Sequence, residues 1–284
     1  MSQYILILGF GYTAGFLSKK LAALDFNIIG TIRNPERQVD SSNIGATIIP
    51  FNSSLIKKHL EMATHILIST PPAVSLGDPV LAAFKTYFCN NLKKLRWIGY
   101  LSSTGVYGDH GGRWVNERSE SINLGAQGQL RLDAETAWMD LAQTQALPLH
   151  VFRLSGIYGP SRNALLRIQQ GQTYTLFKLG HFFSRIHVAD IANVLLASMN
   201  HPNPLSIYNV SDDLPAASAD VDQYAANLLN MPAPIRLPVE QAKLSALMRE
   251  FYTHNRRVDN TKIKQELGIE LQYPTYMDGL TFGC

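Results

Sequence analysis

Apolar residues fall along this chain in short blocks separated by longer stretches of mixed polarity. Tyr4-Ile5-Leu6-Ile7-Leu8 is a five-residue apolar run, short for a helix and the right length for a strand buried on both faces. It empties into Gly9-Phe10-Gly11-Tyr12-Thr13-Ala14-Gly15, after which Phe16, Leu17, Leu21 and Leu24 recur at helical spacing. Further strands are predicted over residues 27–33, closed by Asn34-Pro35, over 46–51, over 65–69, stopped by Pro71-Pro72, and over 97–102. Residues 132–145 read as a helix, 149–153 as a sixth strand, 156–160 as a glycine and proline loop, 188–199 as an amphipathic helix begun by Asp190, and 207–210 as a last strand. Strands alternating with helix-length segments predict an α/β fold, a doubly wound parallel sheet with helices on both faces. From Ser211 onward the chain is richer in proline and loop residues, which predicts a smaller C-terminal lobe near the carboxyl ends of the strands, where open sheets bind ligands.

The glycine turn is the first candidate for chemistry. Its first two glycines let the backbone turn tightly and approach a pyrophosphate, its third lets the helix pack against the strand, and the helix N-terminus supplies N–H groups and a positive dipole end. Composition adds mostly exclusions. The chain has 284 residues, 46% hydrophobic and 17% charged, enough to bury a full core. Its 25 basic and 22 acidic residues are spread along the chain, so the net charge of +3 implies no nucleic-acid track, and an anionic small molecule suffices as partner. The two cysteines, Cys89 and Cys284, make neither a disulfide scaffold nor a zinc set and fit a reducing cytoplasm. Met1-Ser2-Gln3 runs straight into the first strand, and no apolar run approaches a membrane span, so a cytoplasmic protein without membrane attachment is expected. His59 and His65 lack accompanying carboxylates, so no metal site is expected. No Gly-x-Ser-x-Gly elbow is present, which removes a hydrolase of that type.

Four segments together resemble one family: residues 9–15; Leu101-Ser102-Ser103-Thr104-Gly105-Val106-Tyr107-Gly108-Asp109; Arg153-Leu154-Ser155-Gly156-Ile157-Tyr158-Gly159-Pro160; and His187-Val188-Ala189-Asp190-Ile191-Ala192. In order and spacing they resemble the extended short-chain dehydrogenase/reductases of the NAD-dependent epimerase/dehydratase type. The tail from Arg256-Arg257-Val258-Asp259-Asn260 through Glu266-Leu267-Gly268 to Tyr273-Pro274-Thr275-Tyr276 extends the likeness over nearly the whole chain. The resemblance implies a Rossmann-type NAD(P)-binding domain over residues 1–155, rejoined by 186–210, and a smaller substrate-binding lobe from 156–185 and 211–284. It implies cofactor contacts at Gly9, Phe10, Gly11, Tyr12, Thr13, Gly15, Arg33, Arg37, Ser69, Thr70, Arg131, Ser155 and Ile157. It also implies a small-molecule substrate, anionic or like a sugar nucleotide, and a homodimer, as is frequent in the family. The glycine spacing here, Gly-x-Gly-x-x-x-Gly, departs from the family's usual form. The second strand ends Thr31-Ile32-Arg33 without the acid that holds the adenosine ribose in NAD-selective enzymes, and Arg37 follows one turn on, which favours NADP while leaving NAD open.

Working members of the family carry a tyrosine as proton donor or acceptor and a lysine four residues later, with a serine or threonine orienting the substrate oxygen. Ser103, three residues before Val106, matches that serine, as against a hydroxyl that bonds its own turn. Counting back from Ala134-Glu135 puts Gln127 at the tyrosine position and Arg131 at the lysine position. Glutamine has no ionisable proton, and arginine, charged up to a pKa of about 12 and beyond, can hold a ribose but cannot relay protons. Tyr107 is the preferred replacement, ahead of Tyr158, His181 and His187, each of which also has a reading as a packed, locally bonded residue. Arg162, Arg167, Lys178, Arg185 and Arg236 could meet an anionic substrate or simply face solvent. Two functions follow: an NADP-favouring oxidoreductase or epimerase with an altered proton-transfer group, or a cofactor-binding protein without turnover that acts as a redox sensor or regulator.

Overall fold

The computed structural model describes residues 3–34, 45–51, 53–90, 92 and 94–284. The elements run β1 (Tyr4–Leu8), α1 (Tyr12–Ala22), β2 (Asn27–Ile32), β3 (Ala46–Pro50), α2 (Ser53–Met62), β4 (His65–Ile68), α3 (Pro79–Asn90) and β5 (Trp97–Ser103). Then come β6 (Trp114–Val115), α4 (Ala126–Gln145), β7 (Leu149–Leu154), β8 (Gly156–Tyr158), α5 (Ala164–Gln169), β9 (Tyr174–Phe177), β10 (Arg185–His187), α6 (Val188–Asn200) and β11 (Ser206–Val210). The last are α7 (Ser218–Leu228), β12 (Ile235–Pro238), α8 (Ala246–Thr253), β13 (Arg257–Val258), α9 (Thr261–Leu267) and α10 (Tyr276–Phe282).

Seven strands form one parallel sheet in the order β11-β7-β5-β4-β1-β2-β3. From β1 the chain builds outward through β2 and β3, then returns to add β4 on the other side of β1, so the order reverses between β1 and β4. That switch point is where two neighbouring strand-to-helix connections diverge and leave a crevice. The strands facing it are the apolar runs expected of a sheet covered on both faces, since every residue of β1 and of β4 is buried. One face packs Leu6, Leu8, Ile66, Ile68 and Tyr100 against Val80, Phe84 and Phe88 of α3 and Trp138 of α4.

By internal contact the chain divides into two compact units, residues 1–103, 129–153 and 191–208 in the first and 104–128, 154–190 and 209–284 in the second. The second unit has its own core around Tyr158, Ile168, Val221, Ala225 and Leu280, and its strands form the parallel pairs β8 with β10, β9 with β12 and β6 with β13. Among the described residues no helix is long and apolar enough to cross a membrane, and no group of three His, Cys, Asp or Glu side chains could hold a metal ion.

Two elements depart from the sequence reading. Helix α4 begins at Ala126 rather than Leu132, through a turn containing Gly128, whose added Cβ would lie 2.9 Å from Gly105 O. Glycine disfavours a helix locally, and here the close backbone approach overrides that preference. The segment expected as a loop at 156–160 opens with a strand, because Gly156–Tyr158 pairs with the distant Arg185–His187.

Candidate functional site

At the switch point in the first unit, Gly9, Phe10, Gly11, Thr31, Ile32, Arg33, Asn34, Phe51, Ser69, Thr70, Pro71 and Pro79 line a cavity of about 360 Å³. Its floor is the glycine turn. Gly9 has φ +98°, and a Cβ there would meet Thr70 N and Cγ2 at 2.9 Å, so both the left-handed backbone and the close approach to β4's outgoing chain exclude a larger residue. Thr31 Oγ1 accepts the Gly9 N–H at 3.0 Å and Thr31 O accepts the Phe10 N–H at 2.6 Å, pinning the turn to the end of β2. Gly11 is the cap of α1 and supplies no side chain to the first-turn N–H groups; a Cβ at Gly11 would meet nothing within 4 Å among the described residues. The turn therefore leaves open space in front of a helix N-terminus, the arrangement that receives phosphate.

The third small position is Ala14 rather than Gly15. Ala14 is fully buried where α1 lies on the sheet, whereas a Cβ on Gly15 would point into open space, so Gly15 does not serve the helix packing expected of it. Counted as Gly9-x-Gly11-x-x-Ala14, the turn fits the dinucleotide fingerprint that admits alanine in its last place, a signal the sequence already carried. Phe10, Thr13 and Ala14 are buried, and Tyr12 packs edge-on against Phe16. Arg33 and Asn34 are exposed on the cavity's rim, and Arg37 lies outside the described residues. Thr31, Ile32, Asn34, Phe51, Pro71 and Pro79 also line the cavity and carry no motif, so only the fold brings them there. Thr70 Oγ1 is buried in the cavity wall without a hydrogen-bond partner among the described residues. An unsatisfied hydroxyl beside an open cradle fits a polar ligand such as a dinucleotide.

Ser103 ends β5 and is half-buried; the neighbouring Ser102 Oγ donates to Glu135 Oε2 at 2.8 Å. Glu135 is in turn ion-paired with Arg153, both nearly inaccessible to solvent, and the Arg153 Nε–H donates to Oε1 at 3.1 Å. One turn earlier on α4, Arg131 Nη1 donates to Leu101 O at 3.1 Å and lies 3.5 Å from Tyr100 Oη. Burial pushes the Tyr100 phenol up to about 12, so it stays protonated there. Gln127 is exposed in the first turn of α4.

In the second unit, Tyr107 is fully buried and its O–H donates to Asn209 Oδ1 at 2.6 Å. Tyr158 donates to Thr275 O at 3.2 Å, and burial raises its pKa above the ordinary phenol value. His187 accepts the Ala189 N–H at Nδ1, 3.2 Å, which leaves Nε2–H to donate to Gly283 O at 3.0 Å; burial lowers its pKa, consistent with this neutral tautomer at a helix start. His181 is buried against Phe183 and Tyr252, and burial takes its pKa down to about 4. Ser155 is buried with an Oγ unpartnered among the described residues, and Ile157 is half-buried on β8.

No protein-family model matches the chain. A functionally unknown conserved protein from Silicibacter pomeroyi DSS is 44% identical, with a TM-score of 0.92 over 99% of this chain and 97% of its own. UDP-glucuronic acid 4-epimerase from Bacillus cereus, solved in complex with UDP-glucuronic acid and NAD, is 15% identical with a TM-score of 0.79 over 98% of this chain and 97% of its own, a likeness of fold. Protein YeeZ of Escherichia coli strain K12 is 27% identical over 178 residues, which span 62% of this chain and 58% of YeeZ.

Proposed function

Because this chain belongs to one family with the Silicibacter pomeroyi protein and has the fold of the extended short-chain dehydrogenase/reductases of the NAD-dependent epimerase/dehydratase type, we propose that it is an NAD(P)-binding oxidoreductase or epimerase acting on a small, anionic or sugar-nucleotide-like molecule. The observation that carries this reading is the switch-point cavity, where Gly11 opens a phosphate cradle beside the unpartnered Thr70 hydroxyl. A bound nicotinamide ring would supply the redox chemistry. The chain's own part would be to hold and orient: the α1 N-terminus would receive the pyrophosphate, Ser69 and Thr70 would help hold the cofactor, and Ser103 would direct a substrate oxygen.

Within this reading NADP is favoured. Arg33 is a cation among the described lining residues, which include no carboxylate, and an arginine matches a 2′-phosphate while an acid would match a free ribose. Calorimetry is expected to give tighter binding of NADPH than of NADH, with Arg33→Ala weakening NADPH by roughly tenfold and leaving NADH unchanged, the size of one charge-assisted hydrogen bond. Equal affinity for the two in the unaltered protein sinks the NADP preference. The reading includes a homodimer, for which light scattering is the direct test.

A second reading, a cofactor-binding sensor without turnover, draws on the proton-transfer positions. Gln127 has no proton to give, Arg131 is engaged by Leu101 O, and the Tyr107 hydroxyl is committed to Asn209. NADPH oxidation against a panel of aldehydes, ketones and sugar nucleotides separates the two: turnover of any member supports the enzyme, and binding without turnover across the panel supports the sensor.

A further inference from the structure

The cations that the sequence offers to an anionic substrate are taken up by the second unit's own fold. Arg167 pairs with Asp222 at 2.6 Å and Arg236 with Asp220 at 3.0 Å. Lys178 Nζ donates to Tyr252 O at 2.8 Å, and Arg185 Nη1 donates to the carbonyls of Phe183 and Ala216, each at 2.8 Å. Arg162 also has a partner in the fold.

Arg257 differs from all of them. It lies on β13, paired in parallel with β6 so that Arg257 sits beside Trp114 and Val258 beside Val115. Both valines are buried at 1% exposure, and because side chains alternate along a strand, Trp114 and Arg257 share the opposite, outward face. Trp114 is 52% exposed there. The Arg257 guanidinium carbon stands over the Phe182 ring, 4.0 Å from its centroid, a cation against an aromatic face. Its Nε is buried without a hydrogen-bond partner, and among the described residues no carboxylate pairs with the guanidinium and no carbonyl accepts from it. Burial closes the Nε edge, whereas Nη1 and Nη2 are neither buried nor bonded among the described residues, which leaves that edge of the guanidinium available for the two parallel bonds that a phosphate or carboxylate accepts. The neighbouring Arg256 turns inward instead, where Nη1 donates to Gly108 O at 2.7 Å.

We propose that Arg257, backed by Phe182 and flanked by Trp114, is an oxyanion-docking site for a phosphate or carboxylate group of a small-molecule ligand. As a substrate site it rests on the reading of this chain as a cofactor-dependent enzyme; as a binding site it stands by itself, and the test separates the two. Trp97 and Trp138 are fully buried, so acrylamide quenching of tryptophan emission reports Trp114. Inorganic pyrophosphate and D-glucuronate are titrated as phosphate and carboxylate probes, with D-glucose as the neutral control. One or both anions are expected to protect Trp114 saturably while glucose does not. Arg257→Gln is expected to weaken that protection roughly tenfold or more. Should Arg257→Gln fail to fold, Arg257→Lys keeps the charge without the fork and must still bind more weakly. No saturable protection by either anion, or equal affinity in the arginine variant, overturns the site. NADPH calorimetry on the same samples is a separate readout: its failure in the unaltered protein removes the enzyme reading and leaves the oxyanion result standing.

Discussion

Two glycines one residue apart do different physical work. Gly9 is required by its backbone, with φ +98° and Thr70 atoms at 2.9 Å from where a Cβ would sit, whereas Gly11 is required only by whatever enters the space before it. Gly9→Ala is therefore expected to lose about 1–3 kcal/mol of stability in chemical denaturation. Gly11→Ala should change stability by less than about 1 kcal/mol while weakening dinucleotide binding measurably by calorimetry. Equal loss of stability in the two variants would contradict this division. A second contrast concerns Tyr107. Its phenol is the preferred proton donor on sequence, yet in the fold its hydrogen is given to Asn209 in a site closed to solvent. Tyr107→Phe is expected to cost about 1–2 kcal/mol of stability by stranding the Asn209 oxygen. Full turnover by that variant on an identified substrate ends its candidacy for proton transfer.

At the scale of elements, α4 is stapled to the sheet at two successive turns, Arg131 to Leu101 O and Glu135 to Ser102 and to Arg153 of β7. The Ala-Glu dipeptide on which the family alignment depends is thus also the residue pair that seats the helix. Burying an ion pair gains little over apolar packing, but leaving one partner alone is expensive. Glu135→Leu is expected to destabilise the protein by about 3–5 kcal/mol, and adding Arg153→Met should recover most of that loss. Urea denaturation of the two single variants and the double variant measures the coupling; simple additivity would mean the pair is not the unit of stability proposed here.

For the molecule as a whole, burial holds three histidines far below their ordinary titration. His65, beside Trp97, His150, on Trp97's other neighbouring strand, and His181 in the second unit are each lowered to about 4. The unfolded chain takes up these protons near pH 6.5 and the folded chain only near pH 4, so between those values the unfolded state binds more. Stability is then fully present above pH 7 and falls as pH drops from 6.5 towards 4, by on the order of a few kcal/mol for each histidine. Denaturation midpoints at pH 7.5 and pH 5 check the sign, and His65→Gln should reduce the slope.

Much of the first unit is legible from local pattern. The five strands β1 to β5 are short apolar runs, and their ends fall within a residue or two of where sequence puts them. Parallel strands buried on both faces leave a continuous signal that needs no tertiary knowledge. The glycine turn is legible for the same reason, although its third small residue is Ala14 rather than Gly15, because packing on the sheet depends on helix phase and the bare glycine count does not reveal it. What only the tertiary structure decided are the partnerships of polar groups. Nothing in the sequence distinguishes Arg257 from Arg167 or Arg236, since which cation meets a carboxylate and which lies on an aromatic ring depends on residues far away along the chain. Apolar periodicity is a local consequence of backbone geometry, whereas hydrogen bonds and ion pairs are satisfied across the fold, so only the tertiary structure decides which polar groups are paired.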